Sequence, residues 1–180
     1  MNGKSMTWIL GAWLVAVSSL QAQTAPATLS EPVGRLLKAE GAVSYAQKAA
    51  YGAGIQDMVI GYGAEGKPVV GIATRSTKTY QEALSIVAVT PVDGSFKVAA
   101  AEIPDISNFR GKSSSMAKDA LEDITGKVFK NEAEARGLVD AVTGATQYYK
   151  AIYVSYALMA SKVIGELTAN PDWPRMPLQP

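Results

Sequence analysis

The sequence predicts an α+β protein in which an antiparallel meander sheet packs against helices and the C-terminal helix is long. Three observations predict this class. Four short apolar or alternating runs lie between residues 57 and 101, each separated from the next by Gly, Pro or Asp, which is typical of strands joined by hairpins. Beyond residue 103 the pattern becomes helical, and residues 148–167 contain no helix breaker before Gly165.

The four predicted strands contain residues 58–60, 69–72, 84–89 and 96–101. Between the last two lies Asp93-Gly94, the strongest turn signal in the chain, because this dipeptide suits the positive φ angles of a two-residue hairpin. We therefore expect a sheet of about four strands, connected in sequence order.

Residues 61–66 match the dinucleotide-binding pattern G-x-G-x-x-G, but we reject that interpretation. The pattern requires a helix directly after the glycines, whereas Pro68 and two valines begin another β-rich run here. A proline suits the first position of a strand. The sequence therefore predicts a glycine-rich hairpin instead of a Rossmann fold.

Several helices are predicted around this sheet. Residues 33–51 are expected to form one or two short helices interrupted by Gly41. The serines at 113–115 offer N-caps for a helix over residues 116–124, and Asn131 offers one for residues 132–139.

The C-terminal helix has one strongly apolar face, and the chain beyond it is rich in proline. Ile152, Tyr156, Met159 and Val163 recur at helical spacing, so this face is expected to pack on the sheet. The prolines of the last ten residues do not allow the helix to continue, which predicts an extended tail.

The N-terminus has the features of an export signal: Lys4 precedes an apolar run over residues 8–20, and Ala22 ends a suitable cleavage site, with Ala27 as an alternative cleavage point. An uncleaved signal anchor is the alternative, although the run is shorter than the roughly 20 residues that span a bilayer. We expect a signal peptide over 1–22, a linker and helical segment over 23–56, the main domain over 57–168 and a Pro-rich tail over 169–180. The predicted location is the periplasm or the outer face of the cytoplasmic membrane.

Charge and composition exclude several classes of function. The chain has 17 basic and 16 acidic residues, and this balance argues against nucleic acid as a partner, because nucleic-acid binding requires a basic face. The chain has no cysteine and no histidine, so disulfides, Cys/His metal sites and Ser-His-Asp or Cys-His catalysis are excluded. We predict no metal site and no catalytic residue. Redox chemistry would require an organic cofactor.

One short motif carries a chemical signal. Residues 140–146 run Asp-Ala-Val-Thr-Gly-Ala-Thr immediately before the long helix, where unpaired backbone N–H groups and the helix dipole favour an anion. Gly144 and Ala145 let a phosphate approach the backbone closely. The alternative is purely structural: Thr143 acts as an N-cap and Asp140 complements the dipole.

The motif resembles the acceptor pattern D-x-x-[ST]-G-A-[ST] of the FMN-binding domain family, found in the G subunit of the Rnf complex and the C subunit of the sodium-translocating NADH:quinone reductase. Every fixed position of the pattern is matched. The resemblance implies that a magnesium-dependent flavin transferase joins FMN from FAD to Thr146 through a phosphoester. It implies that Asp140 helps present the turn, while Thr143, Gly144 and Ala145 hold the phosphate.

The resemblance also implies a Gly-rich strand end, a meander and a helical region before the motif. The sequence around the motif differs from the family in two places. Residues 103–108 occupy the position where family members often carry a Glu-Thr-Pro-Gly-like loop, and Gln147-Tyr148 follows the acceptor where they commonly carry serines. Tyr62, Tyr148, Tyr149 and Tyr153 are candidates to contact the flavin ring, although a tyrosine at helical spacing is more often a core residue. Lys150 is a candidate to place a positive charge near the phosphate. The simpler interpretation is that it is a solvated lysine on the helix surface.

The expected function is therefore that of an exported electron carrier or redox-complex subunit with covalent FMN, and not that of a stand-alone enzyme. Its expected partners are the flavin transferase and a membrane redox complex or an exported electron acceptor. The alternative is an exported binding or assembly module that keeps the fold without a working flavin. A sugar hydrolase is a third possibility, but its candidate acids are scattered: Glu122, Asp123, Glu132 and Glu134.

Overall fold

The computed structural model describes residues 29–78, 82–109, 111–141 and 147–179. Within them, the helices are α1 (Glu31–Ala39), α2 (Lys112–Ile124), α3 (Glu132–Ala141) and α4 (Gln147–Ala169), and a 3-10 turn covers Ile106–Asn108. The strands are β1 (Ser44–Gly52), β2 (Ile55–Tyr62), β3 (Pro68–Lys78), β4 (Glu82–Val92), β5 (Ser95–Glu102), β6 (Val128–Phe129) and β7 (Arg175–Pro177). The predicted signal peptide lies outside the described residues.

These strands form one antiparallel sheet in the order β6-β5-β4-β3-β2-β1-β7. The central five follow one another as a meander, and the four predicted strands lie in β2 to β5. A meander with a long C-terminal helix confirms the predicted α+β class.

The hairpins at both predicted turns have the expected form. Asp93 and Gly94 have φ angles of 46° and 76°, which is the double positive φ that a type I′ turn requires. The glycine-rich segment connects β2 to β3, with Tyr62 opposite Pro68. A strand and not a helix follows these glycines, so the rejection of a dinucleotide fingerprint is confirmed.

The sheet separates two apolar cores. α4 packs on one face, where its four predicted face residues are at most 4% exposed: Ile152, Tyr156, Met159 and Val163. α1 packs on the other face through Val33, Leu36 and Leu37, which join residues of β2 and β3. The predicted burial of the α4 face is confirmed.

Two predictions about the ends of the domain need correction. Residues 44–51 form strand β1 and not a second helix. Tyr45 and Ala46 are buried in the two opposite cores, so pairing and burial override the helix propensity of this alanine-rich segment. The tail is extended as predicted, but Arg175–Pro177 pairs with β1 as an edge strand, with Met176 opposite Tyr45.

Helix boundaries give a mixed result. Asn131 caps α3 as predicted, since its side-chain oxygen accepts a hydrogen bond from the Glu134 N–H at 3.0 Å. The predicted serine caps are wrong: α2 begins at Lys112 after Gly111, and Ser113 lies inside the first turn. α4 continues through Gly165 to Ala169.

Candidate functional site

The motif lies at the connection between α3 and α4. Asp140 is in the last turn of α3, and α4 begins at Gln147, directly after the predicted acceptor. Thr143, Gly144, Ala145 and Thr146 lie outside the described residues. The described residues on either side of the motif are therefore the end of α3 and the start of α4.

A mostly apolar pocket opens beside the N-terminal half of α4. Its cavity is small, about 10 Å³, which is the space of about one water molecule, and its mouth is open to solvent. Its wall consists of aliphatic and aromatic side chains together with two serines: Ala83, Ile103, Phe109, Tyr148, Ile152, Tyr156, Ser85 and Ser155. Tyr148 is two residues after Thr146 in the sequence, so the chain passes from the motif directly into the pocket wall.

Tyr156 is held rigidly in this wall. It is 1% exposed, and its hydroxyl donates a hydrogen bond to the Glu102 carbonyl oxygen at 2.5 Å. Burial raises the pKa of Tyr156 well above its usual value, so this hydroxyl stays protonated and neutral. The pocket therefore has a fixed aromatic surface instead of an acid or base.

The serines give the pocket its polar character. Ser85 on β4 is 3% exposed and Ser155 on α4 is 6% exposed. Arg75 on β3 lies opposite Ser85 in the β3–β4 register, and its Nη1 donates a hydrogen bond to Ser155 Oγ at 3.3 Å. A guanidinium group thus lies one hydrogen bond behind the pocket wall.

Sequence reasoning did not identify these polar residues. Ser155 carried a detectable signal, because it interrupts the apolar face of α4 between Ile152 and Tyr156. The sequence around Arg75 and Ser85 contains no such signal, because their proximity depends on the strand register.

Of the four tyrosines predicted as ring contacts, only Tyr148 lines this pocket. Tyr149 donates a hydrogen bond to Asp123 and stacks on Tyr153 with 5.7 Å between the ring centroids, so this pair joins α4 to α2. Burial and the Asp123 hydrogen bond raise the pKa of Tyr149. Tyr62 packs against Arg175, whose guanidinium carbon is 3.8 Å from the ring centroid.

The charged candidates have structural roles. Lys150 is exposed on α4. Glu132 pairs with Lys162 at 2.8 Å, and Glu134 accepts a hydrogen bond from the Lys130 N–H at 2.6 Å. Among the described residues, no aspartate or glutamate lines the pocket, so they provide no paired-carboxylate site there.

Two further kinds of feature are absent from the described part of the chain. It contains no cluster of three or more acidic, histidine or cysteine side chains able to hold a metal ion. None of its helices is both long and apolar enough to cross a membrane.

The fold and the pocket define an α+β protein with a seven-stranded antiparallel sheet and a small aromatic-lined pocket next to the start of its longest helix. Comparisons with protein-family models, curated proteins and solved structures gave no significant match. The motif and the pocket therefore provide the chemical basis for a functional proposal.

Proposed function

We propose that this protein is an exported electron-transfer flavoprotein that carries FMN through a phosphoester on Thr146. The observation that carries the proposal is the adjacency of two features: an acceptor-like motif ends at Thr146, and Tyr148 already belongs to the wall of an apolar pocket. The proposed attachment residue and an aromatic surface are therefore close together in the sequence.

The attachment chemistry requires little from the protein itself. In the transferase, the Thr146 hydroxyl oxygen attacks the FMN-side phosphorus of FAD. The phosphoanhydride bond breaks, the phosphoester forms, AMP leaves and the hydroxyl loses its proton. Asp140 presents the turn, while Thr143 and the backbone N–H groups of Gly144 and Ala145 hold the phosphate.

The pocket wall offers a surface that suits one face of a flavin ring. The cavity has room for about one water molecule, so a ring would lie against the mouth of the pocket and would not be enclosed by it. The faces of the ring are apolar and aromatic, as are Phe109, Tyr148 and Ile152. The bound flavin would supply the redox chemistry, which the side chains of a protein without cysteine or histidine do not offer.

Export gives covalent attachment a physical advantage. A dissociable FMN would be lost by dilution outside the cytoplasm, whereas a tethered FMN keeps a high effective concentration at the pocket. The expected partners are a flavin transferase for maturation and a membrane redox complex or an exported acceptor for electron transfer.

The alternative function is an exported binding or assembly module without a working flavin. The observation that favours it is the pocket wall itself, whose described lining residues are uncharged and would contact a small apolar group without a tether. In that case the motif is an ordinary helix cap.

Co-expression with a flavin transferase distinguishes the two functions. Modified protein gives a fluorescent band on a denaturing gel and a mass increase equal to FMN minus water. Thr146→Ser keeps a hydroxyl and should retain the modification, whereas Thr146→Ala should lose it completely. An unmodified wild-type protein would exclude the covalent flavin, and a fluorescent Thr146→Ala protein would exclude this acceptor.

A further inference from the structure

The small cavity behind the mouth of the pocket has hydroxyl groups in its wall. Its volume of about 10 Å³ is the space of one water molecule. Ser85 on β4 and Ser155 on α4 both line it, and these residues are only 3% and 6% exposed. Tyr156, also in the wall, contributes a third hydroxyl group. A cavity of this size with several polar groups around it meets both conditions for holding an ordered water molecule.

The hydrogen bond from Arg75 determines what Ser155 offers to this cavity. Because a guanidinium group has donors only, Ser155 Oγ accepts this bond, 3.3 Å from Arg75 Nη1, and the serine hydrogen is left to be donated elsewhere. On the same helix, the Thr168 hydroxyl donates to the Ile164 carbonyl oxygen at 2.8 Å, whereas the described residues give Ser155 no such acceptor. Ser155 is therefore a hydrogen-bond donor at the cavity wall.

On the sheet side of the cavity, Ser85 begins a second series of hydrogen bonds. Burial has the largest effect on the pKa of Tyr156 and raises it, while a hydrogen bond from the Ser85 side chain acts in the opposite direction. A hydrogen bond that lowers the pKa of a phenol is donated to the phenol oxygen, so Ser85 is the donor, and its own oxygen can accept a hydrogen. Tyr156 in turn donates to the Glu102 carbonyl oxygen at 2.5 Å.

We propose that this cavity binds one structural water molecule, which accepts a hydrogen bond from Ser155 and donates one to Ser85. The water molecule completes a chain in which each member donates to the next: Arg75, Ser155, water, Ser85, Tyr156 and the Glu102 carbonyl oxygen. The chain joins β3, α4, β4 and β5 beneath the mouth of the pocket. This water site does not require an attached flavin.

The groups around the cavity favour water over a small anion such as chloride. Arg75 brings a positive charge close to it, and the ion pairs among the described residues do not include Arg75. An anion, however, requires donors on several sides, whereas the hydrogens of Ser85 and Tyr156 are directed along the chain and away from the cavity. A water molecule can both accept from Ser155 and donate to Ser85, which chloride cannot do.

A high-resolution crystal structure, from crystals grown with bromide in place of chloride, identifies the bound species. We expect one solvent peak within hydrogen-bonding distance of both Ser155 Oγ and Ser85 Oγ, without an anomalous signal. An anomalous peak there would show an anion and overturn the proposal. A direct hydrogen bond between the two serines, or a cavity without a solvent peak, would overturn it as well.

Unfolding measurements test whether the water molecule supports the fold. Ser155→Ala removes the donor, so it should eliminate the solvent peak and increase the unfolding equilibrium constant at least about fivefold, the effect of losing one hydrogen bond. Ser161→Ala is the matched control, because Ser161 is a 1% exposed serine on the same helix whose Oγ has no described partner and which does not line the cavity. It should leave both the peak and the unfolding constant unchanged.

Two results with these variants would contradict the proposed site. A solvent peak that persists in Ser155→Ala would show that Ser155 does not hold the water molecule. Equal unfolding constants for Ser155→Ala and Ser161→Ala would show that the hydrogen-bond chain does not stabilise the protein.

Discussion

Gly71 of β3 lies directly beneath Val163 of α4, so closely that a Cβ atom built on Gly71 would collide with Val163 Cγ1. Leu167, one turn further along α4, would be 3.1 Å away. α4 therefore rests on a strand position that has no side chain. The missing side chain sets the distance between the helix and the sheet.

Gly71→Ala is expected to destabilise the protein by about 1–3 kcal/mol, because the added methyl group forces α4 away from the sheet or Val163 into a strained rotamer. The matched control is Gly137→Ala, since Gly137 lies in α3 with no atom within 4 Å of a built Cβ. Removing a glycine from a helix should stabilise it by up to about 1 kcal/mol. Denaturant unfolding measures both changes. Equal effects in the two variants would contradict a close contact at Gly71.

Two fully buried tyrosines give opposite predictions on removal of their hydroxyl groups. Tyr156→Phe loses the hydrogen bond to the Glu102 carbonyl and should destabilise the protein by about 1–2 kcal/mol. Tyr62 has a buried hydroxyl without a described hydrogen-bond partner, so Tyr62→Phe should be neutral or slightly stabilising. Chemical denaturation of both variants tests this. A loss of stability in Tyr62→Phe as large as that in Tyr156→Phe would refute the difference.

Alkaline pH is expected to weaken the fold through Tyr51. Burial, followed by the hydrogen bond to Glu166, raises the pKa of Tyr51 from 10.0 to about 12, and the negative charge of Glu132 contributes further. The ammonium group of Lys48 also faces this tyrosine, 5.7 Å from the ring centroid. Between pH 10 and about pH 12, Tyr51 keeps its phenol proton in the folded state, whereas the unfolded state releases it. The stabilising contribution is therefore complete below pH 10 and is lost as the pH rises through about 12.

Unfolding free energies measured across this range should decline less steeply in Tyr51→Phe than in the wild type. Tyr45 lies in the opposite core, and Tyr45→Phe serves as the comparison. Identical slopes for Tyr51→Phe and wild type would show that another group controls the alkaline transition.

Much of the fold could be predicted because its signals are local. Asp93-Gly94 specifies its hairpin through φ angles alone, and Asn131 caps α3 through a contact three residues away. β1 and β7 were not predicted, because both depend on pairing between segments far apart in the sequence. Ala46 is a good helix former that becomes a strand residue once β2 lies beside it.

The candidate site also has one part that could be predicted from the sequence and one part that could not. The motif ending at Thr146 is contiguous and could be recognised from the sequence, whereas the pocket is formed by residues from β4, α4 and the loop that follows β5. Arg75 and Ser155 are 80 positions apart, and only the sheet register and the packing of α4 bring them together. Long-range polar pairs of this kind have no local pattern that would reveal them.

The order of the elements has a consequence for biosynthesis. α4 covers the larger core and β7 closes the outer edge of β1, yet both come after residue 146. A chain emerging from the ribosome therefore exposes the apolar face of its meander until α4 has also been made. The larger core cannot close before that point, so the meander should fold stably only after the synthesis of α4.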